Sequence, residues 1–452
     1  MQIELIVDIE KLSNLGYGIA KQDGYVIFVD GACPGDKVRI QITKKNKNFA
    51  NAKVLEVIES SPHRVQPFCP MQKVCGACQL QFIDYGYQLK LKKEIVEDSM
   101  RGLDVEVRDV VASPEDKHYR HKIQYPVSET RDSKRILAGY YKPASHELVN
   151  IKYCPIQPEY CDKIIEFIRT AAQECGISGY KEKSHAGDLR HVVIRSSAYN
   201  GKNLVILIVN STRVFDKLKK LANRIYTELD NIAGVGVNFN SQKTNLILGK
   251  ETQMLEGESF IEEQLCDKVF KVGAETFFQV NPKSADNIFR FVKDYISKNF
   301  ENPLVLDAYA GITTFGICLS DVARKVVSVE EVKASVQLAD KIIKENGIKN
   351  VELHNMDAGM FFEKELKTKG RKFDVTVLDP PRKGCTVESL DYALKLTKGK
   401  IIYVSCNPAT LARDLKYLTE KGCKVEFVQP FDMFPHTYHI ENVAVINIPS
   451  TL

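Results

Sequence analysis

At 452 residues the chain has room for about three domains of roughly 100 to 200 residues each. Hydrophobic residues make up 44% and charged residues 27%, an ordinary soluble balance, and no apolar run approaches the roughly 18 residues of a membrane helix, which excludes a helical membrane protein. The net charge of +5 suits a polyanionic partner without requiring one.

The N-terminal MQIELIVDIEK carries early acids, with neither a basic leader nor a long apolar run, so the expected compartment is the cytoplasm. In that reducing setting twelve cysteines read as metal ligands, a nucleophile or buried apolar residues rather than disulfides.

Residues 1–60 contain four β-type runs, IELIVDIEKL, GYVIFVDG, DKVRIQITKK and NAKVLEVIES. Gly24, Gly31, Pro34 and Gly35 punctuate them, and short strands with such turns predict a small β-barrel. Lys37, Arg39, Lys44, Lys45 and Lys47 crowd into eleven residues. That run points to nucleic-acid contact, although a solvated strand face would carry the same charges.

Residues 61–275 predict a second, α+β domain. Its opening stretch combines Pro62, Pro67 and Pro70 with Cys69, Cys75 and Cys78, too broken for regular structure. Helical patterns (DYGYQLKLKKEIVEDSM and EYCDKIIEFIRTAAQE) then mix with β runs (NLVILIVN, GVGVNFN and TNLILG). Cys69, Cys75 and Cys78, joined by Cys154 just before Pro155, supply four thiols. Three clustered thiols plus one distant Cys-Pro lie closer to an iron-sulfur site, [4Fe-4S], than to the two close pairs usual for zinc; zinc and a metal-free set stay open. The other cysteines outside the motifs show no pattern and are expected to pack.

Residues 276–452 alternate apolar strands with amphipathic helices: LVLDAYAG, VVSVE, VELHN, DVTVLD, KIIYVS, KVEFVQP and NVAVINI. The pattern predicts an α/β domain with a mostly parallel sheet, which binds ligands at the carboxyl ends of its strands. After the first strand, Asp307-Ala-Tyr-Ala-Gly311 lets a ligand approach the backbone, and Glu330 ends the second strand where a ribose diol could donate to it. A plain tight turn would look the same.

Asp379-Pro-Pro-Arg-Lys-Gly384 ends the fourth strand, with two prolines stiffening a loop that presents a carboxylate and a guanidinium. Amine methyltransferases place an aromatic residue where Arg382 stands. Cys406, in Ser405-Cys406-Asn407-Pro408, ends the fifth strand. Carbon 5 of uracil is too poor a nucleophile for a sulfonium methyl, and a thiolate adding at carbon 6 cures this. Cys406 therefore needs a lowered pKa, from the expected helix 409–421 or a nearby cation. Glu441, behind His436 and His439 in FPHTYHIEN, is the candidate base for the carbon-5 proton; a surface ion pair is the plainer alternative.

In this order the four thiols, FFQVN, DAYAG, DPPRKG, SCNPATLARD and FPHTYHIEN resemble the RNA 5-methyluridine methyltransferases, over residues 69–445. The N-terminal barrel resembles the OB-like TRAM module, and the combination is similar to the branch acting on 23S ribosomal RNA. The resemblance implies a Rossmann-like class I methyltransferase domain behind the TRAM barrel and the central α+β domain. It also implies a [4Fe-4S] cluster at Cys69, Cys75, Cys78 and Cys154, structural or RNA-holding. S-adenosylmethionine and the target base are implied among Gln279, Tyr309, Thr314, Glu330, Asp357 and Asp379, with Cys406 as nucleophile and Glu441 as base. The base must leave its stack to reach Cys406.

The family's Gly-x-Gly-Thr here reads Gly311-Ile-Thr313-Thr314, which bears on affinity for the methyl donor. Transfer RNA as substrate, and a non-catalytic RNA-binding or assembly protein, are the alternatives. A monomer is expected.

Overall fold

The computed structural model describes residues 3–368 and 370–449. Residues 1–2 and 450–452, at the ends of the first and last expected domains, lie outside the described residues, as does residue 369.

Six strands between Glu4 and Glu59 form the first sheet. All four expected runs are strands; the first divides into Glu4–Asp8 and Lys11–Leu12, and an unexpected strand, Gly18–Gln22, completes the sheet. Its five residues are too mixed in polarity to register as a period. Alternation closes the core: in Lys37–Lys45, Val38 and Ile40 are fully buried while Arg39 faces out. Val7, Ala20, Ile27 and Val29 meet them inside. Two of the five crowded cations are occupied across the strands, Lys37 by Glu59 at 3.1 Å and Arg39 by Glu56.

The second sheet has seven strands. Every residue of Asn203–Val209 is buried, because helices Glu159–Glu174 and Phe215–Glu228 cover one face and the hairpin Phe260–Leu265/Lys268–Gly273 the other. A strand covered twice reads as continuous apolar sequence.

The third sheet contains all seven strands expected of the last domain, in the order Val351–Asn355, Lys325–Glu330, Leu304–Ala308, Phe373–Leu378, Thr397–Ser405, Glu441–Asn447 and Lys424–Phe431. The first five run parallel; Glu441–Asn447 runs antiparallel to both its neighbours. An eighth strand, Glu106–Val107, joins the edge. The helix before it, Tyr85–Ser99, packs Val96 into this sheet's core. Residues 84–107 therefore lie with the third sheet, although the chain pattern groups them with the second.

Candidate active site

The strand Leu304–Ala308 ends in a loop with three left-handed residues, Tyr309, Gly311 and Thr313, at φ of 62°, 57° and 64°. Below it the buried Asp307 carboxylate accepts the Gly316 N–H and the Ser328 hydroxyl, both at 3.0 Å. Burial pushes Asp307 up to about 7. Glu330, ending the next strand, accepts the Gly311 N–H and the Val332 N–H at 2.8 Å each, so acid and loop fix one another. Thr314 opens the helix Thr314–Leu319. Thr313 is a β-branched residue in the left-handed region, and its buried hydroxyl finds no partner among the described residues.

Asp357 accepts the Met360 N–H at 3.1 Å and lines a cleft with Tyr309, Pro381, Thr386 and Ser389. Tyr309, Glu330, Asp357 and Thr314 thus share one strand-end loop system. Gln279 arrives from outside the sheet, on the segment leading into helix Pro282–Asn299, whose Ser284 hydroxyl donates to the Asp432 carbonyl at 3.0 Å. Its near neighbour Phe277 is 71% exposed. Phe277 lies in the FFQVN motif, but the sequence does not tell which of its two adjacent phenylalanines stands in the open and which, Phe278, is buried.

Ser405 pairs with Asn442 in the ladder between Thr397–Ser405 and Glu441–Asn447. The next step out sets Cys406 beside Glu441. The double-proline loop is tied over them: the Arg382 carbonyl accepts the Thr410 hydroxyl at 3.2 Å and the Asn407 side-chain amide at 3.3 Å. Gly384 is required where this loop turns, since at φ 75° a Cβ would stand 2.6 Å from the Asp414 carboxylate and the Arg413 guanidinium.

Three acids therefore share one niche with one cation. Burial, then Glu441 and Asp379, push the Cys406 thiol up to about 11, against the pull of Arg382. This corrects the expected lowering: helix Pro408–Glu420 does follow, but desolvation and two neighbouring carboxylates outweigh the cation. Burial, then Asp379, raise Glu441 to about 8, and burial raises Asp379 to about 7. His439 is held neutral, lowered to about 4 by burial and then by Arg382, Lys92 and Arg120. His436 leaves the niche; it is buried against Gln88 at 3.1 Å and lies 3.5 Å from Asp116.

Cys69, Cys75, Cys78 and Cys154 line one small pocket with Met71, Ile151 and Ile156. Desolvation is the first cause raising each thiol, and Cys78 reaches about 12. Asp162 accepts the Cys154 N–H at 3.2 Å, and Gln81 accepts that of Cys69 at 3.2 Å. Four thiols around an apolar hollow fit a group bonded through sulfur. Among the described residues no three His, Cys, Asp or Glu side chains converge as a metal ion would need. Cys33, Cys161, Cys266, Cys318, Cys385 and Cys423 are buried, and Cys175 half-buried.

The tRNA (uracil-5-)-methyltransferase family matches residues 84–447, and the TRAM domain matches residues 4–55. Among relatives, an uncharacterised RNA methyltransferase of Clostridium tetani is 38% identical over 96% of this chain and 94% of its own length. One of Halalkalibacterium halodurans is also 38% identical, over 98% and 96%. A solved structure, the Pyrococcus abyssi tRNA (uracil-54, C5)-methyltransferase with S-adenosyl-L-homocysteine, superposes with a TM-score of 0.78 at 27% identity, covering 98% of this chain and 99% of that one.

Proposed function

The chain belongs to the tRNA (uracil-5-)-methyltransferase family, and on that premise we propose that it methylates carbon 5 of a uridine in 23S ribosomal RNA through a covalent adduct at Cys406. It is an S-adenosylmethionine-dependent RNA methyltransferase with an N-terminal TRAM domain. Among the described residues no helix is long and apolar enough to cross a membrane.

The observation that carries the covalent reading is the ladder register that sets Cys406 beside Glu441, under the loop of Asp379 and Arg382. S-adenosylmethionine, when bound, supplies a methyl group on a sulfonium. Tyr309, Thr314, Glu330 and Asp357 would hold it, with Gln279 and Asp379 among the residues around it and the base.

The Cys406 thiol, neutral in the free site, releases its proton to solvent water as the site is occupied, and the thiolate Sγ adds to carbon 6 of the ring. The electron pair moves to carbon 5 and the O4 enolate, and carbon 5 takes the methyl group as the donor's carbon–sulfur bond breaks, its electron pair staying on the sulfur of a neutral thioether. Glu441 must then be ionised, removing the carbon-5 proton while the C6–Sγ bond breaks and the ring double bond returns. Arg382 balances the negative charge in the niche throughout. Burial that opposes ionisation here lets each proton move only when a ligand changes the local charge.

RNA carrying 5-fluorouridine tests the mechanism, because fluorine is not abstracted as a proton is. With S-adenosylmethionine the protein should accumulate an adduct that survives denaturation, and Cys406→Ala should form none. No adduct with the intact protein, or equal amounts from both, overturns the mechanism.

Transfer RNA is the second reading, favoured by the likeness to the Pyrococcus abyssi tRNA (uracil-54, C5)-methyltransferase. Ribosomal RNA is supported by the likeness of the TRAM, four-thiol and methyltransferase combination to the ribosomal branch. Mapping 5-methyluridine in both RNAs of a deletion strain separates them: the mark vanishes from one.

The thiols Cys69, Cys75, Cys78 and Cys154 would hold a [4Fe-4S] cluster whose part is to brace the segment around them. Purified protein should contain iron and acid-labile sulfide in equal amounts, and Cys75→Ser should lose both. Zinc alone would refute the cluster.

A further inference from the structure

Arg120, Lys122 and Arg195 come together on the face of the second sheet that looks toward the segment 274–280. Lys122 and Arg195 stand directly opposite in the antiparallel ladder of Lys122–Glu129 and Leu189–Ser196, so their side chains leave the same face. The Arg120 Nε donates to the Lys122 carbonyl at 3.3 Å, which keeps its cation beside the pair. Arg195 is 3% exposed, donates to the carbonyls of Ala274 and Thr276, and leaves its Nε without a partner among the described residues. The charges that Lys122 feels most are Arg195 and Arg120; with burial as the first cause, they push its ammonium down to about 8.

Like charges directly opposite in a ladder are unfavourable, and partial burial sharpens the cost. The strand neighbours of Lys122, Ile123 and Tyr125, turn to the helix-covered face of the sheet, so the Lys122 charge adds nothing to that core. The position does matter relative to the niche. The His121 N–H donates to the Val280 carbonyl at 2.7 Å, one residue beyond Gln279. Arg120 also joins Arg382 in depressing His439, so positive charge runs from Lys122 through Arg120 to the loop over Cys406.

We propose that Lys122 and Arg120, backed by Arg195, bind a backbone phosphodiester of the RNA strand that delivers the uridine to Cys406. The proposal rests on the RNA methyltransferase reading. A phosphate relieves the like-charge contact, and its displaced counter-ions make the contact salt-dependent.

Lys122→Gln tests it, with a fluorescently labelled single-stranded oligoribonucleotide carrying one uridine as the probe. Affinity for the probe should fall on the order of tenfold at about 0.1 M salt, and the slope of log affinity against log salt should shrink by about one. The thermal midpoint should be equal to wild type or higher, because the repulsion with Arg195 is gone. Lys122→Arg should keep wild-type affinity. An unchanged affinity and slope in Lys122→Gln, or a lowered midpoint with an unchanged slope, overturns the phosphate site. Intact protein that binds no RNA strikes the functional reading instead.

Discussion

The chemistry of single residues here is set by how many acids share one cation. Above about pH 8 Glu441 is ionised, and a second anion at Cys406 is opposed. Glu441→Gln removes that opposition, so its Cys406 thiol should titrate lower than in the wild type. At about pH 9 iodoacetamide should alkylate Cys406 faster in Glu441→Gln, by about tenfold for each unit of depression. At about pH 6, where wild-type Glu441 already holds its proton, the two rates should converge. Equal rates at the higher pH would mean that the two side chains do not interact. The motif alone marked Cys406 as a candidate nucleophile, but it suggested the wrong direction of titration. A thiol's pKa depends on neighbours that the fold brings in from residues 379, 382 and 441.

At the scale of one element, the loop after Leu304–Ala308 carries the chain's departure from its family. Thr313 holds φ 64° with a buried, unpartnered hydroxyl, and Asp307 Oδ1 below it is likewise without a partner among the described residues. Left-handed conformation costs a non-glycine residue of order 1–3 kcal/mol. Glycine entropy in the unfolded chain offsets part of this. Thr313→Gly should therefore raise the unfolding free energy by about 1 kcal/mol in urea denaturation. A loss of stability would show that the threonine side chain contributes packing that exceeds the strain. The sequence exposed the substitution because the surrounding motif is so regular. It could not show that Asp307 and Glu330 pin both sides of the loop through Gly316 and Gly311.

Across the whole molecule, a fully buried ion pair joins distant parts of the chain: the Lys92 Nζ lies 2.7 Å from Asp432 and 3.1 Å from the Phe434 carbonyl. Gln88 on the same helix bonds the His436 N–H at 3.0 Å. Helix Tyr85–Ser99 thereby steadies the segment 432–436 that leads to Glu441. Lys92→Met strands a carboxylate in the interior and should cost about 3–5 kcal/mol of stability. Adding Asp432→Leu should restore most of it, read by chemical denaturation of both variants. A double variant no more stable than Lys92→Met would count against the pair as the cause. The cysteine segment leans on the same region, with the Leu80 N–H donating to the His436 carbonyl at 2.9 Å and Phe68 edge-on to the His436 ring at 4.8 Å. Neither contact was visible in the chain.

Periodicity and motif spacing by themselves determined the α/β alternation of the last domain, the early barrel and the strand ends where chemistry would gather. These are local properties: an apolar strand buried on two faces, or a glycine forced into a left-handed turn, leaves its mark within a few residues. Only the tertiary structure decided that Tyr85–Ser99 and Glu106–Val107 belong with the third sheet, that Lys37 and Arg39 are spent on Glu59 and Glu56, and that the Cys406 thiol is pushed up rather than down. Each of those outcomes depends on burial and on partners far along the chain, and long-range burial writes no period into a sequence.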